Sequence, residues 1–144
     1  MTGADRHLLA HTAAALSTSS ALLRWSGALS VLVLGWWVAR PPSILWVGVL
    51  CAALAMHGVA AIYAARAGFD AAVFRWWAAQ DDPAQAVQCF DQWLSDAGRA
   101  SAARSVAERA RGGLRLLRRA LAWAAAGTAT LCAAAVAHAL QAAA

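Results

Sequence analysis

Apolar residues fall into three blocks, with one long polar stretch between the second and the third. The second block, 43–65, has no charge, and only Ser43, His57 and Tyr63 bring strongly polar atoms into it. As a helix it reaches about 35 Å, enough to cross a hydrocarbon core of about 30 Å. Arg66 ends the block, but no Pro or turn cluster follows it. The helix is therefore expected to run on as a stalk over 66–79.

The first block lies between Arg24 and Arg40. That is only about 22 Å. A start near Ser20, with Arg24 snorkelling, restores the length and gives a span over about 22–39. Trp25 lies at one end and Trp36 and Trp37 at the other, as interfacial rings do. Arg40-Pro41-Pro42 then breaks the helix, so 24–65 reads as a tight antiparallel hairpin. Residues 1–23 read as a weakly amphipathic arm whose Ser17-Thr18-Ser19-Ser20 cluster can cap the next helix. The third block, 114–144, is dominated by Ala and reads as a third span with a short tail.

The polar segment 66–113 carries its own helix signals. Asp82 and Pro83 are an N-cap and a first helical residue, and Gly98 is a terminator. Between them, Ala86, Phe90, Trp93 and Ala97 recur at helical spacing with Leu94 beside them, so 83–97 is an amphipathic helix. It can lie on lipid, fold onto the stalk or bind a partner. A basic helix follows over 101–113, with Ser105 and Glu108 at capping-box spacing and Gly112-Gly113 as an expected hinge. The expected fold is all-α: a polytopic membrane protein with three transmembrane helices and a cytoplasmic helical segment between spans two and three.

Composition agrees. The chain is 62% hydrophobic and 13% charged, with mean hydropathy +0.54. A soluble domain is about 45–50% apolar. All 12 basic residues are Arg, which points to a GC-rich bacterial source and so to the inner membrane. Nine of them lie from Arg66 to Arg119. The positive-inside rule then puts the N-terminus and the 66–113 segment in the cytoplasm and the C-terminus outside. The net charge of +5 is read as topology and lipid attraction, not nucleic-acid binding. Arg104, Arg111, Arg115, Arg118 and Arg119 are the expected headgroup contacts.

His57 is the candidate intramembrane polar site. It lies nine residues before Arg66, about 13 Å deep, where an ionisable group is a site hypothesis by default. The plainer expectation is a neutral ring hydrogen-bonded to a neighbouring helix. His138 lies near the outer interface and is not at the right depth to share a haem or metal with His57. His7 and His11 share a helix face but lack further ligands. Cys51 and Cys132 fall at similar depth and read as buried packing residues; with Cys89 they form no metal or disulfide pattern. Gly48, Ala52, Ala55 and Gly58 or Val59 offer a small-residue face for helix packing.

Arg66, Phe69, Asp70, Phe74, Arg75, Trp76 and Trp77 read as an interfacial collar or docking surface, with an Arg66–Asp70 pair at i, i+4. Phe90, Trp93 and Leu94 are the candidate partner or lipid face. Nucleotide, zinc-protease and hydrolase signatures are lacking, and neither cofactor nor metal is expected. The expected role is non-enzymatic: a small accessory or assembly subunit of a larger membrane complex, in contact with the bilayer and with another membrane protein or its own copies. The alternatives are a self-assembling pore and, behind it, a small transporter using His57.

Overall fold

The computed structural model describes residues 3–39, 44–98 and 104–143. Those residues are helical apart from short turns, with no strand among them. The helices are α1 (Gly3–Ser17), α2 (Ser19–Ala39), α3 (Ile44–Ala79), α4 (Pro83–Asp96) and α5 (Val106–Ala143). The expected break at Arg40-Pro41-Pro42 lies outside the described residues, as do Ser43 and Ser101. Of the helices, α3 and α5 are long and apolar enough to cross a membrane.

Close contacts divide the chain into two units. Unit 1 holds Met1–Thr18 and Arg66–Leu116; unit 2 holds Ser19–Ala65 and Leu117–Ala144. Both α3 and α5 contribute to each unit. Neither helix breaks at the boundary, and α5 runs without interruption through Gly112-Gly113.

In unit 1, α1 turns one face inward. Leu9, Thr12, Ala13 and Leu16 of α1 are buried, at helical spacing on one face. Ser17 Oγ and Thr18 Oγ1 donate to the carbonyls of Ala14 and Ala15, so part of the polar cluster serves the end of α1. From α3, Ala67, Ala71, Phe74 and Trp77 are buried; from α5, Ala110. Gly113 explains itself here. A Cβ on it would lie 2.9 Å from Leu16 Cδ1, so the glycine admits the α1 leucine.

The start of α4 uses the signals read from the sequence. Asp82 Oδ1 accepts from the backbone N–H of Ala84 at 2.9 Å and of Gln85 at 3.2 Å. Its end turns at Gly98, whose φ is +70°. The capping box of α5 is also formed: Ser105 N–H donates to Glu108 Oε2 at 2.8 Å, and Glu108 N–H donates to Ser105 Oγ at 3.2 Å. Ser105 Oγ also donates to Glu108 Oε2 at 3.0 Å, and this bond and the one from the Ser105 N–H hold the Glu108 carboxyl below its ordinary range.

Unit 2 packs α2, α3 and α5 on small residues. Ser19, Ser26, Val33, Ala53, His57, Ala60, Ala64, Ala120 and Ala124 are buried. On α3 the buried positions step by four, three and four, the spacing of a left-handed helix pair. The face expected from Gly48, Ala52, Ala55 and Gly58 is exposed instead. With small residues on nearly every face of α3, size cannot choose the face. His57 is turned inward, while Tyr63, the other bulky polar residue of this stretch, is half-buried.

Large apolar side chains of unit 2 point out. Val31, Leu32 and Leu140 are each about two-thirds exposed, and Trp25, Ile62, Leu121 and Val136 are about half exposed or more. Half-buried hydroxyls turn back on their own helices: Ser30 Oγ donates to Ser26 O at 2.8 Å and Thr130 Oγ1 to Ala126 O at 2.9 Å. Cys51 and Cys132 are exposed free thiols, not packing residues, because the seam passes through their neighbours Ala53 and Gly127.

Candidate functional site

His57 sits on the buried seam of α3 and is 1% exposed. Its imidazole lies against Gly127 of α5. A Cβ at that position would be 2.9 Å from Nε2 and 3.0 Å from Cδ2. The glycine is thus the floor on which the ring rests. The expected hydrogen bond to a neighbouring helix is not made: neither ring nitrogen has a partner among the described residues. The reason is local. Around Gly127, α5 buries only Ala120 and Ala124, whose backbone groups are used by the helix. An unmet donor or acceptor of this kind costs about 1–3 kcal/mol. The hydroxyls of Ser19 and Ser26, also buried in unit 2, are likewise without partners.

His138 lies elsewhere. It packs edge-on against Trp36 at 6.4 Å and Trp46 at 6.0 Å between ring centroids. Trp36 and His138, both expected at the interface, therefore form one cluster with Trp46, on α2, α3 and α5. His7 and His11 stack at 6.5 Å on α1, as their spacing requires. No group of three or more metal-binding side chains occurs among the described residues.

The collar residues separate. Phe74 and Trp77 are buried, whereas Arg66, Phe69, Arg75 and Trp76 are exposed. Phe69 and Trp76 are seven apart, so they share the outward face opposite the seam. Asp70 is half-buried, with Oδ2 on the Gly113 side, and burial pushes its carboxyl up from the ordinary 3.8. It does not pair with Arg66; the ion pair among the described residues is Arg109–Asp91. Four apart with Arg first is the weaker orientation, and Asp70 turns toward α5 instead.

Arg109 was lost in the sequence among its arginine neighbours. Its Nη2 donates to both oxygens of Asp91, at 2.7 and 2.6 Å, and its Nε donates to Arg104 O at 3.1 Å. The guanidinium lies 5.7 Å from the Trp77 ring centroid. Trp77 in turn meets Phe74 at 5.3 Å and Phe90 at 5.4 Å, and Phe90 meets Trp93 at 5.8 Å. So α4 folds onto α3 through Phe90, with Leu94 partly covered and Trp93 left 61% exposed. The only advance signal for Arg109 was an acid, Asp91, on the helix before it.

No known family, characterised protein or solved structure matches the chain. Geometry alone carries the functional reading. Arg104, Arg111, Arg115, Arg118 and Arg119 are all exposed, and Arg119 lies 6.0 Å from the Tyr63 ring centroid. The described side chains bring no nucleophile, acid and base together. His57 is the strongest polar feature, and it is sealed among helices.

Proposed function

We propose that the chain is a three-span protein of the bacterial inner membrane, with the N-terminus and unit 1 in the cytoplasm and the C-terminus outside. It acts without catalysis, as an accessory or assembly subunit of a larger membrane complex. The observation that carries the membrane reading is the packing of unit 2, which buries alanines, two serines, Gly127, His57 and Val33 and leaves Val31, Leu32, Leu140 and Trp25 exposed. Water would reverse that order. Lipid favours it, because tails solvate large apolar side chains while small ones let backbones approach. With 21 residues, α2 is long enough for the first span, as its start at Ser19 leaves Arg24 within snorkelling reach of the headgroups.

The subunit reading draws on unit 1. Phe69, Trp76 and Trp93 are half-exposed or more, on helices whose other faces are already packed. Aromatic side chains left on a water-facing surface are typical interaction anchors. Affinity purification in mild detergent, with mass spectrometry and light scattering, tests this. A stoichiometric second membrane protein, lost on Trp93→Ala with Trp76→Ala, is the expected result. A partner-free homo-oligomer that conducts ions would replace it with the pore reading. Reporter tags at the two termini check orientation: a cytoplasmic C-terminus would overturn the topology.

A further inference from the structure

The stalk part of α3 has a side that the described residues of unit 1 leave open. Phe69, Ala72 and Trp76 follow one another at steps of three and four, so they form one strip along the helix. All three are exposed, Phe69 at 62% and Trp76 at 50%. The two rings are two turns apart, about 10 Å, and Ala72 leaves a notch between them for a leucine-sized side chain. Two arginines border the strip. Arg66 falls about 60° to one side of Phe69, and Arg75 about 60° to the other side of Ala72. Both are exposed, and neither makes a hydrogen bond or ion pair among the described residues. The one carboxylate of this stretch, Asp70, is half-buried and turned toward α5. The strip is apolar along its middle and positive on both edges.

Lipid reaches only part of it. On the proposed topology α3 leaves the hydrocarbon at Arg66, and the headgroup layer beyond is about 5–8 Å deep. Phe69 is within that depth, whereas Arg75 and Trp76 stand about 14–15 Å past Arg66 along the axis. A second copy fits no better. Copies in one membrane stand the same way up, so Arg66 would meet Arg66 and Arg75 would meet Arg75, and like charges across a contact disfavour it. The complement of this strip is an amphipathic helix whose apolar residues are flanked by Asp or Glu.

We propose that the Phe69–Ala72–Trp76 strip docks an acidic amphipathic helix of the partner protein. That helix lies along the stalk, with an apolar side chain in the Ala72 notch and carboxylates at Arg66 and Arg75. The proposal rests on the subunit reading above and adds to it the chemistry of the segment that the partner must present.

The test uses the full-length protein in nanodiscs of phosphatidylcholine alone, whose headgroup has no net charge, and two synthetic helical peptides with leucine along one face. In one peptide Glu flanks the leucines; in the other, Lys does. The Glu peptide is expected to bind about ten-fold tighter, by a margin that shrinks as salt is raised. Arg66→Glu with Arg75→Glu should reverse the preference, whereas Arg111→Glu, at an exposed arginine of α5, should leave its direction unchanged. Ala72→Phe, which fills the notch at an exposed position, should weaken binding of both peptides about ten-fold. Equal binding of the two peptides, or none, overturns the proposal. So does a preference that Arg111→Glu removes as fully as the double reversal, which would mean net charge only. In native membranes, a photo-crosslinking side chain at position 72 that labels phospholipid or a second copy gives the strip to that occupant and also overturns it. A co-purifying membrane protein that is retained after Arg66→Glu with Arg75→Glu overturns the strip and keeps the subunit reading. A partner-free protein that still selects the Glu peptide keeps the strip and removes the subunit reading.

Discussion

Units 1 and 2 draw on the same two long helices, α3 and α5, and both bury alanines, yet only unit 1 adds Leu, Phe and Trp side chains to its core. Unit 1 buries Leu9, Leu16, Phe74 and Trp77, and closes over them with an Arg109–Asp91 pair and two capping motifs. Unit 2 buries alanines, two serines, Val33 and His57, and leaves the polar atoms of Ser19, Ser26 and His57 unpaired, where unit 1 leaves Trp77 Nε1. In water, burying large apolar groups is the main gain, about 25 cal/mol per Å². Lipid offers no such gain, and close approach of backbones takes its place. On the proposed topology the contrast is that of one protein in two solvents, and each unit can be tested at the residue that carries its own rule.

The largest effect is expected in unit 1, at Arg109. Arg109→Leu strands the partly buried Asp91 carboxylate and uncovers Trp77, at a cost of about 3 kcal/mol. Thermal unfolding in detergent, followed by tryptophan fluorescence, should show a lower Tm. Arg111→Leu, at an exposed arginine two residues on, should leave it nearly unchanged. Equal effects at the two positions would mean that the Arg109–Asp91 pair does not hold α4 to α5.

Unit 2 should break at Gly127. The added methyl of Gly127→Ala enters the space of the His57 ring, which is walled in and cannot swing away. Overpacking of this kind costs about 1–3 kcal/mol. Gly58→Ala has open space around its new methyl and should be neutral or slightly stabilising. Adding His57→Ala to Gly127→Ala should recover much of the loss. A purely additive pair would show that the ring and the glycine do not share one space.

These two residues also mark where sequence reading works and where it stops. Local signals were legible: Asp82-Pro83, Gly98 and the Ser105–Glu108 box each act within a few residues, and the structure uses all of them. The uninterrupted run from the second apolar block into the stalk was legible for the same reason, as nothing there stops a helix. Helix faces were not. Alanine fills so many positions of α1, α3 and α5 that several faces look equally small, and the burial of α1 and the choice of seam on α3 were missed or misread. Arg109 was hidden because its partner is 18 residues away on another helix and eight of its fellow arginines crowd the same segment.

A smaller effect is expected at the start of α4. Asp82→Ala removes the acceptor for the Ala84 and Gln85 N–H groups and should cost about 1 kcal/mol. Its signature is local. Hydrogen exchange should quicken in α4 and leave α2 untouched. Uniform quickening over both units would mean that they unfold together.

The smallest effect sets two carboxylates of unit 1 against each other. Burial raises Asp70 above its ordinary 3.8, so the native state holds this proton to a higher pH than the unfolded chain does. Its contribution is greatest below that ordinary value and is lost as pH rises through the raised one. Glu108 runs the other way. Hydrogen bonds from Ser105 lower it, so its contribution is present above the ordinary 4.5 and disappears as pH falls through the lowered value. Asp70→Asn should therefore raise Tm at neutral pH and flatten the decline on the alkaline side of the Asp70 window. Glu108→Gln should lower Tm at neutral pH and remove the loss in acid. Both variants should act on unit 1 alone, because the carboxylates of the chain all lie outside unit 2. A Tm of Asp70→Asn that tracks the unaltered protein from pH 4 to 7 would show that water reaches this carboxylate freely, and that the packing of Gly113 and Leu16 beside it does not exclude solvent.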